Sequence, residues 1–320
     1  MKKMAVFVFV FAMLLAGGMV SVRAYYTAKS ISAVDGSIVA HKWNPAAFPI
    51  VWQMDPTQGV NVTGSRQQSD VLNLAFNAWT AVAPISLQQG PNVAPTVKAN
   101  QYDGINVVTT NAAPTDLPPG VLAYTYTFYF DSTGIDPFNR TVAFPGQIME
   151  ADMTFSPSYP FTTNPGPLAG VTDLQAVATH EAGHFFGMDH ASNTSSTMFW
   201  TSSPGYIYQR NLSSDDIAGI STLYPGPTFA QKGTLQGTVK TTSGTAVYGA
   251  IVVAVNASGA PVASTVTDPS GAYAIQGLDP GAYTVYAEPL SGRIGALNIS
   301  TLSTIYPSAT VNTNFTTRFH

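Results

Sequence analysis

The chain has 320 residues, of which 45% are apolar and only 9% are charged, against roughly 25% charged residues in an average soluble domain. Its net charge of −4 provides no basic surface, so no nucleic-acid partner is expected. The absence of cysteine excludes disulfides, thiolate metal ligands and a cysteine nucleophile. Any metal must therefore be bound by histidines and carboxylates.

The first 24 residues have the organisation of a secretory signal peptide. Two lysines precede an apolar run from Met4 to Leu15, and a small-x-small site ends at Ala24. We expect cleavage after Ala24 and a secreted, extracellular protein. The alternative is an uncleaved anchor, although the apolar run is only just long enough to span a bilayer. No later segment is apolar enough to span one, so no membrane partner is expected after cleavage.

A short lead-in, residues 25–40, precedes a region in which strands and helices are both predicted, residues 41–227. Apolar residues at helical spacing predict three helices, with Ser69 as the N-cap of the first and a Thr172/Gln175 capping box on the second. The helices are Ser69–Val82, Thr172–Phe186 and Ser214–Tyr224. The predicted strands are Phe48–Met54, Gly104–Thr110, Val121–Phe130 and Ala151–Phe155.

Beyond a linker at residues 228–232 the pattern changes to short β-like runs separated by turn residues. This spacing is typical of a small β-sandwich, which we place at residues 233–320. The predicted strands are Thr234–Thr242, Val247–Val255, Ala263–Thr267, Tyr273–Ile275 and Ala282–Ala287.

Three of the five histidines lie in one eleven-residue stretch, HEAGHFFGMDH. His180 and His184 are four residues apart on a predicted helix, so their rings project from one face and suit a single Zn²⁺. Gly187 allows the chain to turn back through positive φ and bring His190 to the same ion. Glu181 is too close in sequence to be a comfortable third ligand, but it is well placed to take a proton from a water on the metal. Three neutral imidazoles with an open position are typical of catalytic zinc.

The stretch fits HExxHxxGxxH, and the chain here resembles the metzincin metallopeptidases. Met198, eight residues after His190, resembles the Met-turn beneath the metal, and this spacing is similar to the matrixin branch. Leu212–Tyr224 is similar to the matrixin closing helix, in which a leading Asp binds the Met-turn; Asp215 is expected to take this role. Residues 233–320 resemble the carboxypeptidase regulatory-like, or transthyretin-like, β-sandwich.

The resemblance implies an α+β protein. Its catalytic domain is expected to have a twisted mixed sheet, about three helices and zinc in the cleft, followed by an all-β sandwich domain. It also implies a zinc endopeptidase that acts on protein or peptide substrates, with Glu181 as general base and acid. An extended substrate is expected to pair with the strand near Ala151–Phe155. The pocket beyond the scissile bond is expected to be lined by Phe199, Trp200, Tyr206 and Tyr208.

Several expectations concern regulation and further ions. One zinc is predicted, because only His41 and His320 remain as further histidines. Calcium is a weaker expectation, since no loop has calcium-site spacing. A carboxylate plug for the zinc at Asp35 is a hypothesis, and an Asp-Gly turn is the simpler explanation of this residue. A monomer is favoured. The candidate calcium ligands are Asp131, Asp136, Glu150 and Asp152.

An alternative function from another class is an adhesion or scaffold protein whose peptidase domain is latent or retired. The retained Glu181 opposes this, since loss of the general base is the simplest way to disable such a site. In a third reading the C-terminal domain captures the substrate. That domain has neither a charge cluster nor an aromatic platform, so a spacer or stabiliser is favoured.

Overall fold

The computed structural model describes residues 27–94, 98–290, 299, 302 and 304–319. The predicted signal peptide and its cleavage site lie outside these residues. The helices are α1 (Gln68–Thr80), α2 (Leu174–Phe185) and α3 (Ser214–Leu223). The strands that precede α3 are β1 (Lys29–Ile31), β2 (Ile38–Ala40), β3 (Lys42–Trp43), β4 (Ile50–Met54), β5 (Val62–Thr63), β6 (Leu87–Gln89), β7 (Asn106–Thr109), β8 (Ala123–Phe130), β9 (Gly134–Ile135), β10 (Thr141–Val142), β11 (Gln147–Phe155), β12 (Phe161–Thr162) and β13 (Thr172–Asp173).

The main sheet is mixed and is organised around β11. On one side β11 pairs in parallel with β3 and β7, and on the other it pairs antiparallel with β8 along its whole length. Every residue of β11 is buried. The expected substrate position beside Ala151–Phe155 is therefore wrong, because both edges of that segment already carry backbone partners. Among the described strands β8 pairs with β11 alone, so β8 is an outer strand.

Helices α1 and α2 pack together and form the core beneath the sheet. The predicted apolar face of α1 is buried at Leu72, Ala75, Phe76 and Trp79, whereas Val82, also expected on this face, lies beyond the helix and is partly exposed. The indole of Trp79 donates to the Thr179 carbonyl of α2 at 2.8 Å. The predicted caps differ from the observed ones. Gln67 precedes α1 without a side-chain cap, and Asp173 caps α2 by accepting from the Ala176 amide. Thr172 is not the cap because it is drawn into β13, which pairs with β12.

The C-terminal region is all-β, as predicted. Its described strands form two antiparallel sheets, one of β14 and β17 and the other in the order β16-β15-β18-β19. The strands are β14 (Gly233–Thr238), β15 (Ala250–Asn256), β16 (Pro261–Val266), β17 (Ala272–Leu278), β18 (Tyr283–Pro289) and β19 (Arg318–Phe319). A helix-containing mixed-sheet domain followed by an all-β domain confirms the α+β assignment. No helix in the described part of the chain has the length and apolarity to cross a membrane.

Candidate active site

Three imidazole rings converge at the C-terminal end of α2. The Nε2 atom of His184 lies 3.2 Å from Nε2 of His180 and 3.3 Å from Nε2 of His190. The first two rings project from adjacent turns of α2, and the third arrives on the segment that follows the helix. The described residues contain no other group of three or more histidine, aspartate or glutamate side chains close enough to hold one ion.

The opposite nitrogens of two of these rings are occupied by backbone carbonyls. Nδ1 of His180 lies 2.8 Å from the Thr197 carbonyl, and Nδ1 of His184 lies 2.9 Å from the Met188 carbonyl. A carbonyl only accepts, so each Nδ1 must carry the proton, which leaves an Nε2 lone pair facing the other rings. Burial lowers the pKa of both imidazoles, which keeps them neutral. Converging lone pairs without a proton between them fit a cation such as Zn²⁺.

Gly187 allows the chain to reverse between the second and third histidines. Its φ is +93°, and a Cβ there would lie 2.1 Å from the backbone oxygen of His41. Only glycine tolerates both conditions. The lead-in packs against the same turn, because the amide of Ala28 donates to the Gly187 carbonyl at 2.9 Å.

Glu181 is buried next to the first histidine on α2. The hydroxyl of Thr125, on β8, lies 2.7 Å from its carboxylate and 3.1 Å from its backbone carbonyl. Burial raises the pKa of the Glu181 carboxyl, while the nearby His184 and the Thr125 hydroxyl oppose the rise. A carboxyl held in this way is suited to gaining and losing a proton. Thr125 was missed from the sequence, since nothing in an alternating strand marks one threonine as a partner of a distant glutamate.

Met198 lies fully buried beneath the histidines. A Cβ on Gly183 would come within 2.2 Å of its sulfur, so the helix and the methionine are in direct contact. The amide of Ala191 donates to the Met198 carbonyl at 2.8 Å. The turn that carries Met198 is therefore tied to the segment that follows His190.

The carboxylate that holds this turn belongs to Asp216. It accepts from the amides of Thr197 at 2.8 Å and Met198 at 3.1 Å, and from the Ser196 hydroxyl. The prediction that Asp215 binds the Met198 turn is therefore wrong. Asp215 precedes Asp216 on α3 and is also buried. Asp216 is the third residue of the helix and completes a capping box with Ser213, so its carboxylate is turned back toward the start of the helix and the loop beside it.

The loop after the methionine carries the four aromatic residues predicted to line a pocket. Phe199 is buried, whereas Trp200, Tyr206 and Tyr208 are exposed, and the two tyrosine rings meet edge to face at 6.0 Å. Sequence reasoning missed Gln209. Its buried side-chain amide lies within donor distance of three loop carbonyls, at 3.1 to 3.3 Å, and so sets the shape of the loop.

The expected calcium ligands are dispersed. Asp136 is engaged by Arg140 at 2.7 Å and by the Tyr102 hydroxyl at 2.6 Å. Glu150 accepts from two backbone amides, and Asp152 accepts from the Val107 amide at 2.9 Å. The geometry does not bring these carboxylates together with Asp131. Asp35 is exposed and accepts from the amide and hydroxyl of Ser37. These contacts agree with a residue that stabilises a turn and not with a carboxylate that plugs the zinc site.

Two imidazoles and a buried carboxylate on a helix beneath a mixed sheet, with a third imidazole supplied by the segment that follows the helix, define a protein of the metallopeptidase class. The chain belongs to the matrixin family. The family model described as Matrixin matches residues 42–225, more than half of the chain. A second model, the carboxypeptidase regulatory-like domain, matches residues 234–316. Matrixins are zinc-dependent, which agrees with the three-histidine cluster.

Individual relatives give the same assignment at modest identity. The chain is 28% identical to human matrix metalloproteinase-15 over 162 residues, which are 49% of this chain and 22% of that protein. It is 29% identical to metalloendoproteinase 1 of Glycine max over 157 residues, 47% of this chain and 43% of the relative. It is 48% identical to rabbit (Oryctolagus cuniculus) macrophage metalloelastase over 58 residues, 18% of this chain and 12% of the relative. The chain thus spans less than half the length of each of these relatives.

Proposed function

We propose that the protein is a secreted zinc endopeptidase that hydrolyses internal peptide bonds of protein substrates. The observation that carries this proposal is the convergence of three imidazole Nε2 atoms next to the buried carboxylate of Glu181, which lies on the helix that bears two of the rings. His180, His184 and His190 would hold the ion. When bound, zinc supplies Lewis-acid chemistry, polarising the scissile carbonyl and acidifying water.

Glu181 is the proton carrier of the proposed reaction. Its carboxylate takes a proton from the attacking water and passes it to the leaving amine. Thr125 restrains the carboxylate through the 2.7 Å hydrogen bond, so the proton acceptor is oriented before the substrate arrives. Burial of the Glu181 carboxylate excludes bulk water, which would otherwise screen the developing charges.

The proposed substrate path runs along the outer strand β8. Thr125 lies on β8 and contacts Glu181, and one side of β8 has no partner among the described strands. We therefore assign that side as the edge that borders the histidine cluster. An extended peptide adds to such an edge through backbone hydrogen bonds, which give affinity without a strict side-chain requirement. We assign the wall beyond the scissile bond to the loop with Trp200, Tyr206 and Tyr208, whose rings are exposed.

The test is casein cleavage by a protein of residues 25–320, with zinc quantified in every sample. Wild type should bind one zinc and cleave. Glu181→Ala should keep zinc and lose cleavage by about 10²- to 10⁴-fold, as expected when the proton carrier is removed. His184→Ala should lose both. Glu288→Ala, which changes a glutamate of the β-sandwich, is the matched control and should cleave like wild type.

Two outcomes would contradict the proposal. A wild-type protein that binds zinc but cleaves neither casein nor a broad peptide library would favour the adhesion or scaffold alternative. Cleavage that survives Glu181→Ala would remove Glu181 from the reaction.

A further inference from the structure

The two domains share a buried polar contact on α3. The carboxylate of Asp215 is only 3% exposed and accepts from the backbone amide of Ser264 at 2.6 Å. The Ser264 hydroxyl lies 3.4 Å from the same oxygen. Ser264 lies on β16 and is itself fully buried. A buried carboxyl group is costly unless it is hydrogen-bonded, and here the described partner is supplied by the other domain.

The same serine reaches the segment that carries the third histidine. The hydroxyl of Ser192, two residues after His190, donates to the Ser264 hydroxyl at 3.2 Å. Ser192, Ser264 and Asp215 therefore form a continuous hydrogen-bonded path from the His190 segment through the β-sandwich to α3.

The backbones of the two domains also approach closely. Gly277 on β17 has φ of +69°, and a Cβ there would lie 2.9 Å from the carbonyl oxygen of Ala218 on α3. Ala218 is buried in an apolar cluster whose other members all belong to the β-sandwich: Val252, Ala254, Ala263, Ile275 and Leu278. The Ser214 hydroxyl donates to the Val262 carbonyl at 2.8 Å. The interface thus extends along α3 and is not that of a loose spacer.

The mechanical consequence follows from the two adjacent aspartates. Asp216 holds the amides of Thr197 and Met198, while Asp215 is held by β16. The first turn of α3 is therefore fixed on one side by the β-sandwich and fixes the Met198 turn on the other. A shift of the β-sandwich would therefore disturb hydrogen bonds both to α3 and to Ser192, which lies in the segment from His190 to Met198.

We propose that the C-terminal β-sandwich is a positioning domain of the metal centre, which holds the His190–Met198 segment through Ser264. Its role in turnover rests on the proposed peptidase function, but its role in holding the ion does not. Ser192, Ser264 and Asp215 are positioning residues. The domain stabilises the ligand geometry and leaves the edge of β8 unaffected.

The test introduces a bulky, charged side chain into the domain interface of the full-length protein. Ala218→Arg places a long charged side chain in the buried interface without changing a metal ligand or any of the three positioning residues. Ile217→Arg is the matched control, since Ile217 is the neighbour of Ala218 on α3 and is 36% exposed. The readouts are amide hydrogen exchange of residues 190–198 in the metal-free protein, the half-time of zinc release to a chelator, and kcat and KM on a short peptide.

Ala218→Arg should speed exchange at residues 190–198 and shorten the zinc half-time by about ten-fold, as loss of groups that orient ligands does. For the short peptide, kcat should fall while KM stays unchanged, whereas global destabilisation without repositioning would leave kcat of the folded fraction unchanged. Ile217→Arg should match wild type in all readouts.

Ser192→Ala provides a second variant that is compatible with folding, since it removes a single hydroxyl. It should shift exchange and zinc release in the same direction by about three-fold, the effect of one hydrogen bond. Zinc release and exchange equal to wild type in Ser192→Ala and in a folded Ala218→Arg would overturn the proposal. A wild-type protein that shows this coupling but never cleaves peptides would instead contradict the peptidase function alone.

Discussion

The Thr125 hydroxyl lies 2.7 Å from the Glu181 carboxylate, joining the outer strand β8 to the ligand helix α2. We predict that Thr125→Val lowers kcat on a peptide substrate by about ten-fold, because the carboxylate loses the hydrogen bond that orients it. Bound zinc should be unchanged. Thr127→Val, on the same face of β8, is the control. Unaltered turnover in Thr125→Val would show that α2 alone orients Glu181.

The Asp216 carboxylate accepts several of the hydrogen bonds that hold the Met198 turn. We predict that Asp216→Ala lowers the free energy of unfolding by about 3 kcal/mol, since several buried donors lose their acceptor at once. Chemical denaturation of the full chain measures this. Asp70→Ala, at an exposed position in the first turn of α1, should cost about 0.5 kcal/mol or less. Equal losses for the two variants would mean that water replaces Asp216 without penalty.

Gly183 allows α2 to approach Met198 and Trp79. A Cβ there would lie 2.2 Å from the Met198 sulfur and 2.7 Å from Cζ2 of Trp79, so Gly183→Ala should cost about 2 kcal/mol through overpacking. It should also weaken zinc binding, because the displaced helix carries His180 and His184. Gly226→Ala is the control, since its Cβ would meet Pro84 only at 3.7 Å. Thermal unfolding and chelator competition measure both effects. A fully stable Gly183→Ala would mean that the core has room to shift.

The domain interface should be sensitive to pH through Asp215. Burial, assisted by repulsion from Asp216, raises the pKa of this carboxyl from 3.8 to about 8. Between these values the folded state holds a proton that the unfolded state releases, so rising pH favours unfolding. The stabilisation from this group is complete below about pH 4 and is lost as pH rises through about 8.

Asp215→Asn removes this titration while preserving shape. The unfolding free energy of Asp215→Asn relative to wild type should therefore improve by about 4 kcal/mol between pH 5 and pH 9, since about three pH units of this range lie below the raised pKa and each contributes about 1.4 kcal/mol. Denaturation of both proteins at the two pH values measures the shift, with Asp70→Asn as control. A constant difference would show that Asp215 is ionised throughout.

Local patterns in the sequence were sufficient to predict the helices, the main strands and the histidine cluster. The four-residue spacing of His180 and His184 determines their common face on α2, and Gly187 determines where the chain can turn back. These features depend on backbone periodicity and on the conformational freedom of one residue, so residues that are close in sequence are enough to predict them. The change in pattern near residue 233 reveals the all-β region for the same reason.

The tertiary structure alone decided which distant groups meet. It places β8 at the outer edge of the sheet rather than Ala151–Phe155, because both sides of β11 are paired. It brings Thr125 to Glu181 and Asp216, rather than Asp215, to the Met198 turn. It also directs Asp215 to Ser264, 49 residues further along the chain. Such contacts depend on packing between elements, where a one-residue rotation of a helix exchanges one carboxylate for its neighbour and no local pattern records the choice.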